Sequence, residues 1–370
     1  MGFLDVVFYA FSAVVFIQAI FHIFFFGKFA FLKPLEKSRK NIDISVIICA
    51  KNESENLKNF LPSIISQEYP TFEIVLINDA SHDNTLEVME AFSKAHSNIK
   101  IVDVKNTEAF WGNKKYALTL GIKASKYNHL LFTDADCKPV SNHWIEEMSS
   151  HFDAEKTIVL GYGAYTKIEK SFLNKLIRFE TLMTAIHYFS FAHQGLAYMG
   201  VGRNLAYTKD DFFKANGFIS HIKVRSGDDD LFINQIATKT NTAICISKES
   251  FTESVPETIF KDWFNQKRRH ISTANYYKLK HKIVLGVIYI TNLLFWFFAF
   301  ILLVTLHMWA VVLALFFIKI IIQYTVIGTS CKKLNEKDLL LLIPFLEILL
   351  IGFQLAIFIN NLISKPNHWK

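Results

Sequence analysis

The sequence predicts an α/β domain set between membrane-spanning helices, and three observations lead there. Apolar runs long enough to cross about 30 Å of hydrocarbon crowd the two ends of the chain. In the middle, short β-branched runs alternate with stretches of helical apolar spacing, and charge and turn residues dominate. Acidic residues directly follow several of those β-branched runs. Of the 370 residues 51% are hydrophobic and the mean hydropathy is +0.24. A soluble chain reaches such values too, so the distribution decides and the average does not.

The first apolar run, Val6 to Phe26, opens after Met-Gly-Phe-Leu-Asp and ends in phenylalanines followed by lysines. A cleaved signal peptide has the opposite plan, basic at its start and small residues at its end. A retained anchor over residues 1–28 is expected, with its C-terminal side in the cytosol. Three more runs, Ile283 to Leu306, Trp309 to Gly328 and Leu339 to Leu362, give three expected C-terminal transmembrane helices over 283–362.

The net charge is +7, and basic residues flank the apolar runs. Lys28, Lys33, Lys37, Arg39 and Lys40 follow the first; Lys278, Lys280 and Lys282 precede the second; Lys332, Lys333 and Lys337 lie between the last two. The positive-inside bias puts all three clusters in the cytosol, which four spans satisfy. The tail Lys365 to Lys370 then lies outside, and its two lysines run against the bias. Lys319 and Glu347 fall inside spans at similar depth, so a contact between them is expected. The location expected is a multi-pass protein of a bacterial inner membrane. No arginine-rich stripe or RNA-binding signature is present, and no nucleic-acid partner is expected. Cys49, Cys137, Cys245 and Cys331 form no Cys-x-x-Cys pair, which argues against a structural zinc site or a disulfide framework.

Between the apolar ends, strands are expected at Ile44–Cys49, Glu73–Ile77, Lys100–Val104, His129–Thr133 and Thr157–Leu160. Helices are expected at Ser54–Ser66, Thr85–His96, Lys114–Lys126 and Asn142–Phe152. Apolar strands alternating with helices imply a mainly parallel sheet covered on both faces. Ligands bind beyond the carboxyl ends of such strands. Asn52 and Glu53 follow the first strand, Asn78 and Asp79 the second, Asp134 and Asp136 the fourth. The resulting acidic crevice repels a nucleotide unless a cation sits in it.

Asp134-Ala-Asp136 is read as a metal pair: in extended chain, i and i+2 side chains point the same way. Two such carboxylates suit Mg2+ or Mn2+, which also binds phosphates; the plain alternative is a cap for the next helix. Asp79 is placed to meet a nucleobase or ribose, whereas Asp83 or Thr85 caps the following helix. Gly112-Asn113-Lys114-Lys115 opens a helix and suits diphosphate oxygens, with a solvated lysine face as the alternative. Asp228-Asp229-Asp230 is an acidic triplet whose mutual repulsion a metal or a raised pKa relieves. One of its carboxylates near an acceptor hydroxyl is what a general base requires. Gln266-Lys267-Arg268-Arg269-His270 reads either as a basic patch beside anionic lipid or as arginines for a departing diphosphate.

Taken in order, these motifs resemble the family 2 glycosyltransferases of GT-A fold, including membrane synthases of the cellulose and hyaluronan type and the ceramide glucosyltransferase-like groups. Ser45 to Glu53 resembles the family's opening strand and Asn-Glu pair, and Asn78 to Thr85 its Asp-Asp-Gly-Ser-x-Asp-x-Thr segment. The resemblance covers roughly Ile42 to Ser272, and a GT-A domain over 41–272 is expected. It implies donor binding by Asn52, Glu53, Asp79, Lys114, Asp134, Gln266, Arg268 and Arg269. It further implies metal binding by Asp136 with Asp134, and catalysis by Asp229 with Asp228.

The Gly200 to Ala206 stretch resembles the loop lining the donor-sugar and acceptor side, which implies acceptor contacts from Gly202, Arg203, Asn204 and His270. His270 stands where the family's Gln-x-x-Arg-Trp motif has tryptophan. That departure, together with the small number of spans, favours single transfer over processive synthesis. The segment Ser171 to Met199, within an interfacial region expected at 171–200, is rich in aromatic and leucine residues and suits the bilayer surface or, equally, a helix buried against the core. The expected activity is inverting transfer from a nucleotide sugar, a UDP-sugar first, to a lipid, lipid-linked or glycan acceptor with Mg2+ or Mn2+. The two rivals are a processive polysaccharide synthase and a membrane transporter or sensor that binds nucleotide sugars without chemistry.

Overall fold

The computed structural model describes residues 2–33, 40–105 and 114–364. Gly112, Asn113, Lys37, Arg39 and the tail Lys365 to Lys370 lie outside them. The chain packs as two compact units, one uniting Met1–Lys33, Lys170–Phe191 and Thr258–His368, the other Pro34–Glu169 and Ala192–Glu257.

The second unit is built on a sheet whose parallel half follows the β-branched runs. Strands β1 (Ile44–Ala50), β2 (Phe72–Asp79), β3 (Ile99–Val104) and β4 (His129–Phe132) lie in the order β3-β2-β1-β4, all parallel. β8 (Leu205–Thr208) then pairs antiparallel with β4 and with β6 (Ile158–Leu160), and β9 (Thr242–Ile244) completes the sheet. Three short strands, β5 (Cys137–Pro139), β10 (Thr252–Ser254) and β7 (Gly163–Tyr165), form a second small sheet.

Helices α3 (Ser54–Ile65), α4 (Thr85–Ala95), α5 (Lys114–Ala124) and α6 (Trp144–Ser149) alternate with the strands. Val46, Ile48, Ile74 and Leu76 pack against Leu57, Leu61 and Met89 in the core; each such side chain contributes about 1.5–3 kcal/mol on burial. On the other face α5 approaches β2 closely: a Cβ at Gly121 would sit 2.1 Å from the Ile77 side chain, so only glycine fits. Two short helices, α8 (Lys209–Lys214) and α9 (Asp230–Ile236), follow β8. The helix expected over Asn142–Phe152 is trimmed to Trp144–Ser149 because Ser141 and His143 form the turn that enters it.

The first unit is helical. α1 (Phe3–Ile20) runs through a π-helical turn, Phe21–Phe26, into α2 (Gly27–Ala30). α7 (Phe172–His193), α10 (Phe260–Ser272), α11 (Leu279–Val304), α12 (Trp309–Lys333) and α13 (Ile343–Ile363) complete it. Four stretches are long and apolar enough to cross a membrane: Phe3–Ala30, Leu279–Val304, Trp309–Lys333 and Lys337–Ile363. Val7, Phe11 and Val14 of α1 pack with Phe295, Ala299 and Leu302 of α11 and Val312 of α12.

The domain limit expected at 272 falls inside this helical unit. α7 and α10 belong to it because buried charges tie them there. Arg178 of α7 donates to Glu336 and, at 2.6 Å, to Asp338, while Lys267 of α10 pairs with Glu180 of α7. Deeper along the helices Lys319 pairs with Glu347 at 3.4 Å, as charge cost requires, and Gln323 bridges them at 2.7 and 2.8 Å. Gln18 of α1 donates to Asn292 of α11 at 2.7 Å.

Removing one partner of a buried ion pair leaves the other unpaired, at a cost of about 3–5 kcal/mol. Lys319→Met is therefore expected to lower the unfolding midpoint in detergent by several degrees. The double variant Lys319→Met/Glu347→Gln should recover most of that loss, read by thermal melts of the intact protein.

Candidate active site

The carboxyl ends of β1, β2 and β4 and the start of α5 surround one ammonium group. Lys114, the first residue of α5, donates to Asp134 Oδ1 at 2.9 Å and lies 3.1 Å from Asp228 Oδ2. Its charge also acts on Asp79, Asp136 and Asp229. Burial alone would discharge Lys114, but Asp134 and Asp228 outweigh it and hold its pKa well above the usual lysine value. Residues more than a hundred positions apart thus meet at one positive charge.

Each acidic group has its own setting. Asp79 ends β2 nearly buried, and burial raises its pKa; among the described residues it accepts no hydrogen bond. Asp134 and Asp136 sit in a turn closed by Cys137 N–H donating to Asp134 O at 3.1 Å. This corrects the extended-chain reading of the pair: the chain bends between β4 and β5. The turn nonetheless gathers ligand atoms of Asp134, Asp136 and Cys137 within 4.8 Å of one another. Burial, with Asp134 beside it, raises the pKa of Asp136.

The acidic triplet is divided by environment. Gly227 enters it at φ +94°, a conformation that favours glycine. Burial opposes charge on Asp228, yet Lys114 prevails and lowers its pKa. Asp229 is pushed up to about 7 by burial and by the charges of Asp228 and Asp230. Its Oδ2 accepts from Gly202 N–H at 2.8 Å and its Oδ1 from Asp230 N–H at 2.7 Å, so both oxygens are aimed. Asp230 is buried and accepts from Leu231 N–H at the start of α9. A small pocket opens among Lys114, Thr133, Asp134, Gly202, Asp228 and Asp229.

Other expected site residues are engaged in scaffolding. Asn52, at φ +57°, accepts from His82 N–H at 2.8 Å and so joins the β1 and β2 loops. Glu53 opens α3, accepts from Asn56, and its N–H donates to Thr85 at 2.8 Å. Asp83 accepts from Thr85 N–H and Ser54 N–H, which is the capping role expected for it.

Two acceptor assignments are corrected. Asn204 is fully buried, donating to Tyr162 O and Ser250 O and accepting from Trp144. Arg203 turns its guanidinium into the small sheet, onto Ala164 O and Ser254 at 2.9 and 2.6 Å and over the Tyr165 ring. Their polar groups build the loop, and only Gly202 faces Asp229.

Gln266, Arg268, Arg269 and His270 lie on α10 in the helical unit. Arg268 donates there to Asn361 at 3.0 Å and to Ser364 O at 2.6 Å. That engagement corrects its casting as a free phosphate ligand.

Lys115, expected with Lys114 to suit diphosphate oxygens or a solvated face, is turned inward instead. It is 1% exposed, and its ammonium donates to His221 O, Val224 O and Ser226 O at 2.8, 2.9 and 2.9 Å. Three carbonyls use all three hydrogens and clamp the segment that enters the acidic triplet. The signal was present: Lys115 shares the apolar stripe of Leu118 and Ile122 on α5.

With that geometry in hand, the parallel sheet and acidic strand ends define a GT-A-type domain. Residues 45–213 match the family model described as glycosyl transferase family 2, and this domain belongs to that family. The chain is 41% identical over 93 residues to poly-beta-1,6-N-acetyl-D-glucosamine synthase of Staphylococcus epidermidis, covering 25% of this chain and 21% of that protein. It is 33% identical over 105 residues to glycosyltransferase AglE of Haloferax volcanii, covering 28% and 33%. The chain thus spans a fifth to a third of these relatives. The mannosyltransferase PcManGT from Pyrobaculum calidifontis, solved with GDP-Man and Mn2+, aligns over 90% of this chain and 99% of that one, with a TM-score of 0.58 and 16% identity; this likeness shows the fold.

Hydrogen bonds to a charged group contribute about 1.5–3 kcal/mol each, and the Lys115 clamp has three. Lys115→Met is expected to raise hydrogen exchange across 221–230 at least tenfold while β1 and β2 stay protected, read by mass spectrometry.

Proposed function

We propose that this chain is an inverting glycosyltransferase. It moves a sugar from a nucleoside-diphosphate sugar to a hydroxyl of a lipid, lipid-linked or glycan acceptor at the cytosolic membrane face. The observation that carries this reading is the convergence of Asp134 and Asp228 on Lys114 beside Asp229, an aimed carboxylate that burial and its acidic neighbours push up to about 7. A binding module has no need of a base tuned to neutral pH; a transfer reaction has.

Oxygen donors of Asp134 and Asp136 fit Mg2+ or Mn2+, and such an ion supplies neutralisation of charge on the leaving diphosphate. Asp79, buried and without a protein donor among the described residues, suits hydrogen bonds from the nucleoside. Lys114 offers its positive charge to the phosphates once the donor competes with Asp134 and Asp228 for it. Asp229, held by the N–H groups of Gly202 and Asp230, takes the proton of the acceptor hydroxyl. The acceptor oxygen bonds to the anomeric carbon while the bond from that carbon to the diphosphate breaks, so a single displacement inverts the configuration.

The UDP-sugar expectation rests on resemblance, and a panel should include GDP-sugars, since PcManGT was solved with GDP-Man. The similarity to a polymer synthase keeps a processive version of the same chemistry as a second reading. Product length separates the two: one added sugar against a ladder.

Three measurements test the proposal. Nucleotide sugars should stabilise the detergent-solubilised protein only with Mg2+ or Mn2+, and Asp136→Ala should abolish that stabilisation. Asp229→Asn should lower kcat at least a thousandfold and leave donor stabilisation within threefold; full turnover in that variant removes the base. The base acts deprotonated, so kcat/KM should rise tenfold per pH unit below about 7 and level off above it.

A further inference from the structure

The last apolar helix, α13, is long enough to cross a membrane, but its two ends are tethered on one side. Just before its start, Glu336 and Asp338 hold Arg178 of α7. At its far end, Arg268 of α10 donates to Asn361 Oδ1 at 3.0 Å and to Ser364 Oγ at 2.8 Å, and Asn361 donates back to Arg268 O at 3.2 Å. Between these points Trp263 of α10 stacks on Phe353 at 4.1 Å. α10 therefore lies along the second half of α13.

Polarity fixes where α10 sits. Its sequence, Phe-Lys-Asp-Trp-Phe-Asn-Gln-Lys-Arg-Arg-His-Ile-Ser, carries five charged residues, a load that the interior of a bilayer does not accept. It also precedes α11, so it lies on the side from which α11 enters the membrane. A crossing α13 would carry Asn361 about 27 Å from its first residue, at 1.5 Å per residue, to the opposite face. Arg268 meets it on the near face instead.

The neighbouring spans meet the first half of α13. Tyr289, ten residues into α11, donates to Ile351 O at 3.3 Å. Gln323 of α12 donates to Glu347 at 2.8 Å, and Lys319, four residues deeper, pairs with the same carboxylate at 3.4 Å. Among the described residues, the apolar cluster of Phe11, Phe295 and Val312 is built from α1, α11 and α12.

We infer that α13 does not cross the membrane. It lies in the plane of the leaflet on the side where α1 and α2 end and α11 begins, with α7 and α10 on one face. Its other face, with Ile348, Leu355, Ile359 and Leu362 exposed at helical spacing, rests on acyl chains of that leaflet. The chain then crosses three times, and Ser364 lies on the basic side with Arg268.

This inference concerns the helical unit and stands whether or not the proposed transfer occurs. Two full-length fusions placed after Lys370 and expressed in a bacterial inner membrane test it. The account predicts fluorescence from a green fluorescent protein that matures only in the cytosol, and alkaline phosphatase activity at least tenfold below that of a fusion at the α11–α12 turn. Phosphatase activity equal to that control, with a dark fluorescent fusion, would overturn it. Neither readout depends on sugar transfer, so each claim can fail alone.

Discussion

The ammonium of Lys114 is the constraint on which the acidic site depends. Five aspartates from two strand ends and one loop surround it, and carboxylates so close do not stay ionised together unless a positive charge compensates them. α5 supplies that charge at its first residue, and the close contact at Gly121 fixes the helix against β2. The same position makes the charge exchangeable. A divalent cation and a diphosphate, arriving together, can replace Lys114 on Asp134 with little net change in charge. The tightness of the sheet and the poise of the site thus come from one packing contact.

Asp229 differs from its neighbours through placement. Asp228, one residue away, faces Lys114, which lowers its pKa; Asp229, aimed by the N–H groups of Gly202 and Asp230, is pushed up to about 7 by burial and its acidic neighbours. Lys115 maintains the division, since its three carbonyl partners fix the segment that delivers both aspartates. Adjacent lysines on one helix accordingly do separate work, one holding charge and the other holding backbone.

Much of this was legible in the sequence because its signals are local. Short β-branched runs and helical spacing predict β1 to β4 and α3 to α5 within a residue or two, and carboxylates after strands point to the crevice. The turn at Asp134 to Cys137 is not legible from spacing, because an i, i+2 pair of carboxylates after a strand suits an extended chain as well as a turn. Asn204 and Arg203 carry polar side chains in a loop, where exposure is the usual expectation, and only the two sheets meeting around them reveal their burial. The flatness of α13 was invisible for another reason: composition measures whether a helix can cross hydrocarbon, while tethers such as Arg268 to Asn361 decide whether it does.

The exchange of Lys114 for a divalent ion is the claim closest to measurement. Mn2+ binding followed by electron paramagnetic resonance, without any nucleotide, should be at least tenfold tighter in Lys114→Met than in the unmodified protein, because the carboxylates lose their resident cation. Affinity that is unchanged or weaker in that variant would contradict the account, since Lys114 and the metal would then not share the same carboxylates.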